Sequence, residues 1–204
     1  MPNPRIPPQG PDEWTDAARE LFAFGEGPEA REKGSKSNVV RTFAHHPRLM
    51  LAWMKFNGRL LAAPTIPARL REIVILRLAD RFKCEYEWLQ HVDIARELGI
   101  GPEHFAAVKV DPDSPLWSDL ERAALHAADE MTTEYRISDE TWDQLAATFD
   151  HKQMLEFMFV VGVYSMLAWI LSSFGAVPEP DAGKGKSNYL ATSLKGNPRT
   201  EPAG

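Results

Sequence analysis

Residues 71–101 read REIVILRLADRFKCEYEWLQHVDIARELGIG, and two helical registers fit them end to end. Leu70, Ile73, Val74, Arg77 and Leu78 recur at the three- and four-residue spacing of one helix face, which predicts a helix over residues 67–82. Lys83 marks a short break. A second helix follows over residues 84–98 and stops at Gly99 and Gly101, because glycine after the last periodic residue ends a helix readily. Outward from this pair the same periodicity continues. Trp14, Ala17, Ala18, Leu21 and Phe22 predict a helix over residues 14–24, capped by Asp12 or Thr15. Residues 25–36 form a polar loop. A helix beginning at Asn38 ends near His46, since Pro47 disfavours helix before it. Residues 49–61 follow, with Leu49, Trp53, Phe56 and Leu60 on one face.

On the other side lie a short helix over residues 102–108 and a turn at residues 111–114. A long amphipathic helix over residues 117–135 turns Leu120, Ala124, Leu125, Ala128 and Met131 inward. Ser138 caps another helix that reaches Phe149, and a last one covers residues 151–174. Nothing shows convincing two-residue alternation between turn signals. The expected fold class is therefore all-α, a bundle of about eight helices. Residues 1–12, with five prolines, read as an extended arm, residues 13–177 as a single domain and residues 178–204 as a loose tail.

Composition narrows the function. A net charge of -6 and a pI near 5.5 argue against a nucleic-acid partner, whose usual footprint is basic. One cysteine, Cys84, forbids an intrachain disulfide and fits a reducing cytoplasm. The N-terminal residues carry one arginine and no apolar segment after it, unlike a signal peptide. Residues 157–177, FMFVVGVYSMLAWILSSFGAV, are long enough to span a bilayer. No Lys/Arg cluster borders them, so the expectation is a helix buried all round in a globular core, with no membrane.

The chemistry-bearing residues lie in the opening stretch. Cys84, Glu87 and His91 fall at i, i+3 and i+7, one face of one helix. Glu72 sits on the preceding helix, which must pack back against it. A thiol, two carboxyls and an imidazole thus converge where two helices meet. The plainer reading is an exposed Glu87–His91 pair, a buried filler at Cys84 and a surface charge at Glu72. Tyr86 and Trp88 are candidate lining residues, because aromatic side chains crowd small-molecule pockets. Elsewhere there is no G-x-G-x-x-G, P-loop, H-E-x-x-H or paired-cysteine pattern. His45-His46 reads as a turn, His126 and Glu130 as a solvated pair, and His104 and His151 carry no role. Neither a metal nor a cofactor is expected.

The strings R-E-I-V-I-L-R, C-E-Y-E-W-x-x-H and A-R-E-x-G resemble the carboxymuconolactone decarboxylase family, which includes the AhpD-type alkylhydroperoxidases. The match centres on residues 70–101, with a weaker echo through the apolar helix of residues 154–175, where the family carries a V-x-x-V-G-x-Y pattern. The resemblance implies an AhpD-like helical fold that assembles into trimers or larger rings. Peroxidases of this type carry C-x-x-C with a histidine four residues later. Here Glu87 replaces the second, resolving cysteine. The decarboxylase branch carries glutamate and histidine at the positions of Glu87 and His91 and lacks the cysteine. The sequence thus resembles a hybrid of the two.

Three functions follow. One is a cofactor-free acid–base enzyme acting on a small organic acid, lactone or related carbonyl compound. His91 is then the base or acid, Glu87 orients it or relays its proton, Glu72 is a second relay carboxylate, and Arg71 and Tyr86 are candidate donors to the substrate. Another is a thiol peroxidase with Cys84 as nucleophile, its thiolate favoured by the helix N-terminus and Lys83, and with an external resolving thiol. The third is a non-catalytic ligand-binding or assembly protein. A homo-oligomer is expected in each case, a trimer or its multiple first and a dimer second. Met158, Phe159, Trp169 and Phe174 would supply interface surface, and the arm and the tail would reach to a neighbour.

Overall fold

The computed structural model describes residues 4–62 and 64–185. Among these residues ten α-helices run α1 (Asp16–Glu26), α2 (Ala30–Lys33), α3 (Asn38–Phe43), α4 (Pro47–Ala62), α5 (Ala68–Arg81), α6 (Glu85–Glu97), α7 (Pro102–Val110), α8 (Asp119–Thr133), α9 (Asp139–Ala146) and α10 (His151–Phe174). A single 3-10 turn, Pro11–Glu13, precedes them, and no strand occurs among the described residues. The all-α expectation holds. The chain divides into two compact units, Met1–Ala63 with Leu171–Gly204, and Pro64–Ile170.

In the first of these units, Thr15 is the residue that caps α1, accepting the Ala18 N–H at 3.2 Å. Trp14 therefore stands just outside the helix, with its ring edge-on to Phe22 at 5.4 Å. The expected loop over residues 25–36 contains α2, which ends at Gly34. Gly34 has φ +79°, and a Cβ there would collide with the Trp14 ring, so glycine is required on both counts. The N-terminal segment is tied down by the Arg5 N–H to the Phe174 carbonyl (2.7 Å) and by His45 Nε2 to the Pro7 carbonyl (3.0 Å). Beyond Pro178, the Glu179 carboxylate accepts the Asn38 N–H at 2.7 Å. The remainder of the expected tail, residues 186–204, lies outside the described residues.

The unit Pro64–Ile170 is built around α5. Every residue from Leu70 to Ala79 in this helix is buried, Arg71, Glu72 and Arg77 included. Polar groups that deep must be paired. Arg77 shows how: its guanidinium forms a two-pronged contact with Asp129 of α8 (2.9 and 2.6 Å) and donates to the Val108 and Lys109 carbonyls at the end of α7 (2.8 and 2.9 Å). The chain leaves α5 through Lys83 at φ 53° and re-enters helix at Cys84, whose N–H reaches back to the Ala79 carbonyl at 2.9 Å. Gly99, at φ 77°, ends α6 as expected. Gly101 does not end it: it is the N-cap of α7, with Pro102 in the first helical position. His104 acquires a role there, accepting the Gly101 N–H at 3.3 Å. His126 and Glu130 do not hydrogen-bond to each other. His126 pairs with Asp113 at 2.7 Å, while Glu130 receives the Ser138 N–H and the Ser138 and Thr141 hydroxyls at the start of α9.

The helix α10 departs from the expected burial all round. Met154, Phe157, Val160, Val161, Tyr164 and Ala168 are buried, but Leu155, Phe159, Met166, Trp169 and Ile170 are exposed. By length and composition it is apolar enough to cross a membrane, and just over half of its most apolar stretch, 56%, is buried within the protein. Near its start Glu156 accepts the Thr65 and Ile66 N–H groups (2.7 and 3.1 Å) and the Thr65 hydroxyl (2.7 Å), fixing the chain just before α5.

Candidate active site

The antiparallel turn between α5 and α6 carries Glu72 to His91. The His91 Nδ1 lies 2.7 Å from Glu72 Oε2, and both side chains are almost wholly enclosed. The other carboxylate oxygen, Glu72 Oε1, accepts Arg71 Nε at 3.0 Å, with the Arg71 Nη2 at 2.9 Å. Burial pushes the Glu72 carboxyl up, but His91 and Arg71 together outweigh it and hold the group below its ordinary value. Glu72 is thus an ionised acceptor. It accepts the hydrogen bond from His91 Nδ1–H, which directs the other ring nitrogen, Nε2, away from Glu72. The ring plane is set from the other side by Tyr164 of α10, edge-on at 5.1 Å and 87°.

One turn back along α6, Glu87 is 2% exposed, and neither of its carboxyl oxygens has a hydrogen-bond partner. It occupies the third helical position, where a glutamate can close a capping box onto the N-cap N–H. Here that N–H, of Cys84, is already committed to Ala79. With no cation or donor to offset it, burial pushes the Glu87 carboxyl well above the ordinary range and favours the neutral acid. Cys84 is buried at the N-cap of α6. Lys83 pairs with Asp80 at 3.2 Å, so its ammonium is engaged there rather than at the thiol.

The predicted residues therefore separate. Glu72, His91 and Arg71 are joined directly, whereas Cys84 and Glu87 share the buried α6 face with His91. Glu72, rather than Glu87, makes the hydrogen bond to His91. Tyr86 is buried in the first turn of α6. Trp88 packs elsewhere, against Phe105 at 6.2 Å and under the Lys109 ammonium at 4.1 Å, beside a cluster containing Ile73, Leu76 and Val92. Tyr164 was missed. It ends the V-G-x-Y string of residues 161–164, which echoes the family pattern. No group of three or more metal-ligating side chains occurs among the described residues.

The fold is that of the AhpD-like all-helical proteins. Residues 47–130 match the carboxymuconolactone decarboxylase family. Among solved structures it is similar to an uncharacterized peroxidase-related protein from Silicibacter sp., with 20% identity and TM-score 0.71 over 90% of this chain and 97% of that one. It is also similar to an alkylhydroperoxidase AhpD core protein from Ralstonia eutropha, with 17% identity and TM-score 0.72 over 89% and 95% of the two chains. A third likeness is to a cysteine-to-alanine variant of the debrominase Bmp8 in complex with 2,3,4-tribromopyrrole, at 17% identity and TM-score 0.68 over 94% and 96%. At these identities the likeness is one of fold. No curated protein matches the sequence.

Proposed function

We propose that the protein is a cofactor-free acid–base enzyme acting on a small organic acid, lactone or related carbonyl compound in the cytoplasm. The observation that carries this reading is the buried Glu72–His91 contact of 2.7 Å. Glu72 holds the Nδ1 proton, and His91 Nε2 takes a proton from the carbon beside a substrate carbonyl. The released electron pair moves onto the carbonyl oxygen as an enolate. Glu87, kept neutral by burial, donates a hydrogen bond or its proton to that oxygen. In a decarboxylation the pair comes instead from the breaking carbon–carboxylate bond, and the same acid returns a proton to carbon as carbon dioxide leaves. The test is turnover of a panel of lactones and β-keto acids by the native chain and by His91→Ala, Glu87→Gln and Cys84→Ser. The first two variants lose activity, and Cys84→Ser loses much less. A Cys84→Ser variant as inactive as His91→Ala overturns the reading.

A second reading, thiol peroxidase chemistry, is supported by the placement of Cys84 at the N-cap of α6 and by the named relatives of peroxidase type. The thiolate would attack a hydroperoxide, forming a sulfur–oxygen bond and breaking the oxygen–oxygen bond, with release of the alcohol. An external thiol would then form a mixed disulfide with loss of water, and a second thiol would free Cys84. Sulfenate trapping followed by mass spectrometry tests it: a modified Cys84 supports the reading, and an inert thiol at millimolar peroxide removes it.

A further inference from the structure

Glu87 has two carboxyl oxygens, and the acid–base reading uses only one of them. Both are shut off from solvent, in a side chain that is 2% exposed, and neither has a hydrogen-bond partner among the described residues. Buried polar atoms nearly always find a partner, and one left without it costs stability. The backbone donor that a glutamate in the third helical position reaches, the Cys84 N–H, is taken by the Ala79 carbonyl at 2.9 Å.

The charges of the two helices are committed as well. Arg69 meets Glu121, Arg71 meets Glu72, Arg77 and Arg81 meet Asp129, and Arg96 meets Asp93. These are all the arginines of α5 and α6, and neither helix contains a lysine. The pair of helices thus keeps no cation in reserve for an anionic ligand. Burial, meanwhile, favours the neutral form of Glu87.

A neutral carboxyl offers one O–H donor and one carbonyl acceptor side by side. A ligand that answers both presents an acceptor and a donor side by side in turn. A carboxylate brings two acceptors and an uncompensated charge. A plain ester or lactone answers the O–H alone and leaves the Glu87 carbonyl oxygen unpaired.

Resting on the acid–base reading of this site, we propose that the substrate is an uncharged carbonyl compound with an N–H or O–H donor beside its carbonyl, as in a lactam or an α-hydroxy ketone, and that Glu87 binds both groups at once. One Glu87 oxygen donates to the substrate carbonyl, through the same hydrogen bond that steadies the enolate. The other accepts the substrate N–H or O–H. Two points of contact fix the orientation of the carbonyl, and with it the carbon whose proton His91 takes. They also set specificity. A site built to hydrogen-bond an N–H or O–H rejects the analogue without it, because a buried group is then left unpaired. Organic acids, charged near neutral pH, fit Glu87 less well than their uncharged relatives.

Four probes of similar size test this: γ-butyrolactam, N-methyl-γ-butyrolactam, γ-butyrolactone and butyrate. Only the first is uncharged and carries both a carbonyl and an N–H. In nuclear magnetic resonance titrations of the full chain, γ-butyrolactam is expected to bind at least about 10-fold tighter than the other three. The infrared spectrum of the native chain minus that of Glu87→Leu isolates the protonated Glu87 carboxyl. Its C=O stretch is expected to fall in frequency with γ-butyrolactam, because a hydrogen bond to the carbonyl oxygen weakens the C=O bond, and to move far less with γ-butyrolactone. Glu87→Gln retains a donor beside an acceptor and is expected to keep the lactam preference, although it has no acidic proton to give. Glu87→Leu is expected to bind the three uncharged rings alike, within about twofold, and Glu87→Met stands in if that variant misfolds. Equal affinities in the native chain, tighter binding of butyrate, an unmoved C=O band, loss of the preference in Glu87→Gln, or its survival in Glu87→Leu overturns the proposal. None of these readouts depends on turnover. A lactam preference beside a fully active His91→Ala variant removes the acid–base reading alone. A missing preference beside an inactive His91→Ala variant removes this inference alone.

Discussion

The two ends of α5 bury charge in opposite ways. Towards its C-terminal end Arg77 meets both oxygens of Asp129 and two backbone carbonyls of α7, and Arg81 adds a further contact to Asp129 at 3.1 Å. Towards its N-terminal end Glu72 is just as enclosed, but the groups around it are not all matched: Glu87 lies one turn from His91 with both oxygens unpaired. A buried ion pair whose partners are complete holds helices in register. An uncompensated carboxyl costs stability and persists where chemistry needs an acid. The first cluster is scaffold and the second is the candidate site, although composition alone would not separate them.

The sharpest way to break this contrast is activity. His91→Ala and Glu87→Gln are each expected to lower turnover of a responsive substrate at least about 100-fold, the usual scale for losing a proton-transfer group. Asp129→Ala is expected to leave the turnover of the folded fraction within about twofold. Steady-state assays beside circular dichroism measure both. Equal losses at the two ends of α5 would abolish the distinction.

Stability should show the reverse order. Asp129→Ala strips Arg77 and Arg81 of their carboxylate partner while Arg77 remains buried. Breaking a buried pair from one side costs about 3–5 kcal/mol, and the partial exposure of Asp129 places the expected loss near the lower figure, about 3 kcal/mol. Urea unfolding followed at 222 nm reads it directly.

The dependence on pH separates the two carboxyls within the site. The Glu72 carboxyl is held below its ordinary value, so it contributes stability above the ordinary carboxylate range and loses it as pH falls through the lowered value. Glu87 is raised. Below the ordinary range both folded and unfolded chains hold its proton and it contributes no slope. As pH rises through that range the unfolded chain releases the proton first, and the folded state loses relative stability. Glu87→Gln removes this slope. The unfolding midpoint of the variant relative to the native chain is therefore expected to climb as pH rises above the ordinary carboxylate range. Glu72→Gln is expected to fall relative to the native chain on the acid side instead, as pH rises from the lowered value to the ordinary 4.5, and to run level with it above. Thermal melts from acid to neutral pH give both signs.

How far the sequence could be read follows from the same residues. Helix periodicity, the glycine stop at Gly99 and the serine cap at Ser138 are local signals, and the all-helical architecture rests on them. The face shared by Cys84, Glu87 and His91 is equally local, since it needs only the spacing of one helix. Which carboxyl holds His91 is not local. It depends on how α5 packs on α6, and the i,i+4 spacing of Glu87 and His91 suggested a contact that the Glu72 side chain makes instead. Arg77 fell in the apolar register and read as one more core position, because its partners lie 31, 32 and 52 residues away. Tyr164 was hidden by its surroundings, one aromatic among many in an apolar run.

The smallest expected effect lies inside the scaffold cluster and tests whether burial, rather than charge count, sets the value of a pair. Arg81 and Arg77 both contact Asp129, but the Arg81 side chain is 27% exposed against 9% for Arg77. Water competes for the Arg81 guanidinium and screens its attraction. Its removal still leaves Asp129 paired with Arg77. Arg81→Ala is therefore expected to cost about 0.5 kcal/mol, within the range of exposed ion pairs, and to cost less still in 1 M salt. The loss from Asp129→Ala is expected to change little with salt, because most of it comes from stranding the enclosed Arg77. Urea midpoints for both variants at 0.05 M and 1 M sodium chloride make the comparison. If Arg81→Ala cost as much as Asp129→Ala, the outer arginine rather than the buried one would be holding α5 to α8.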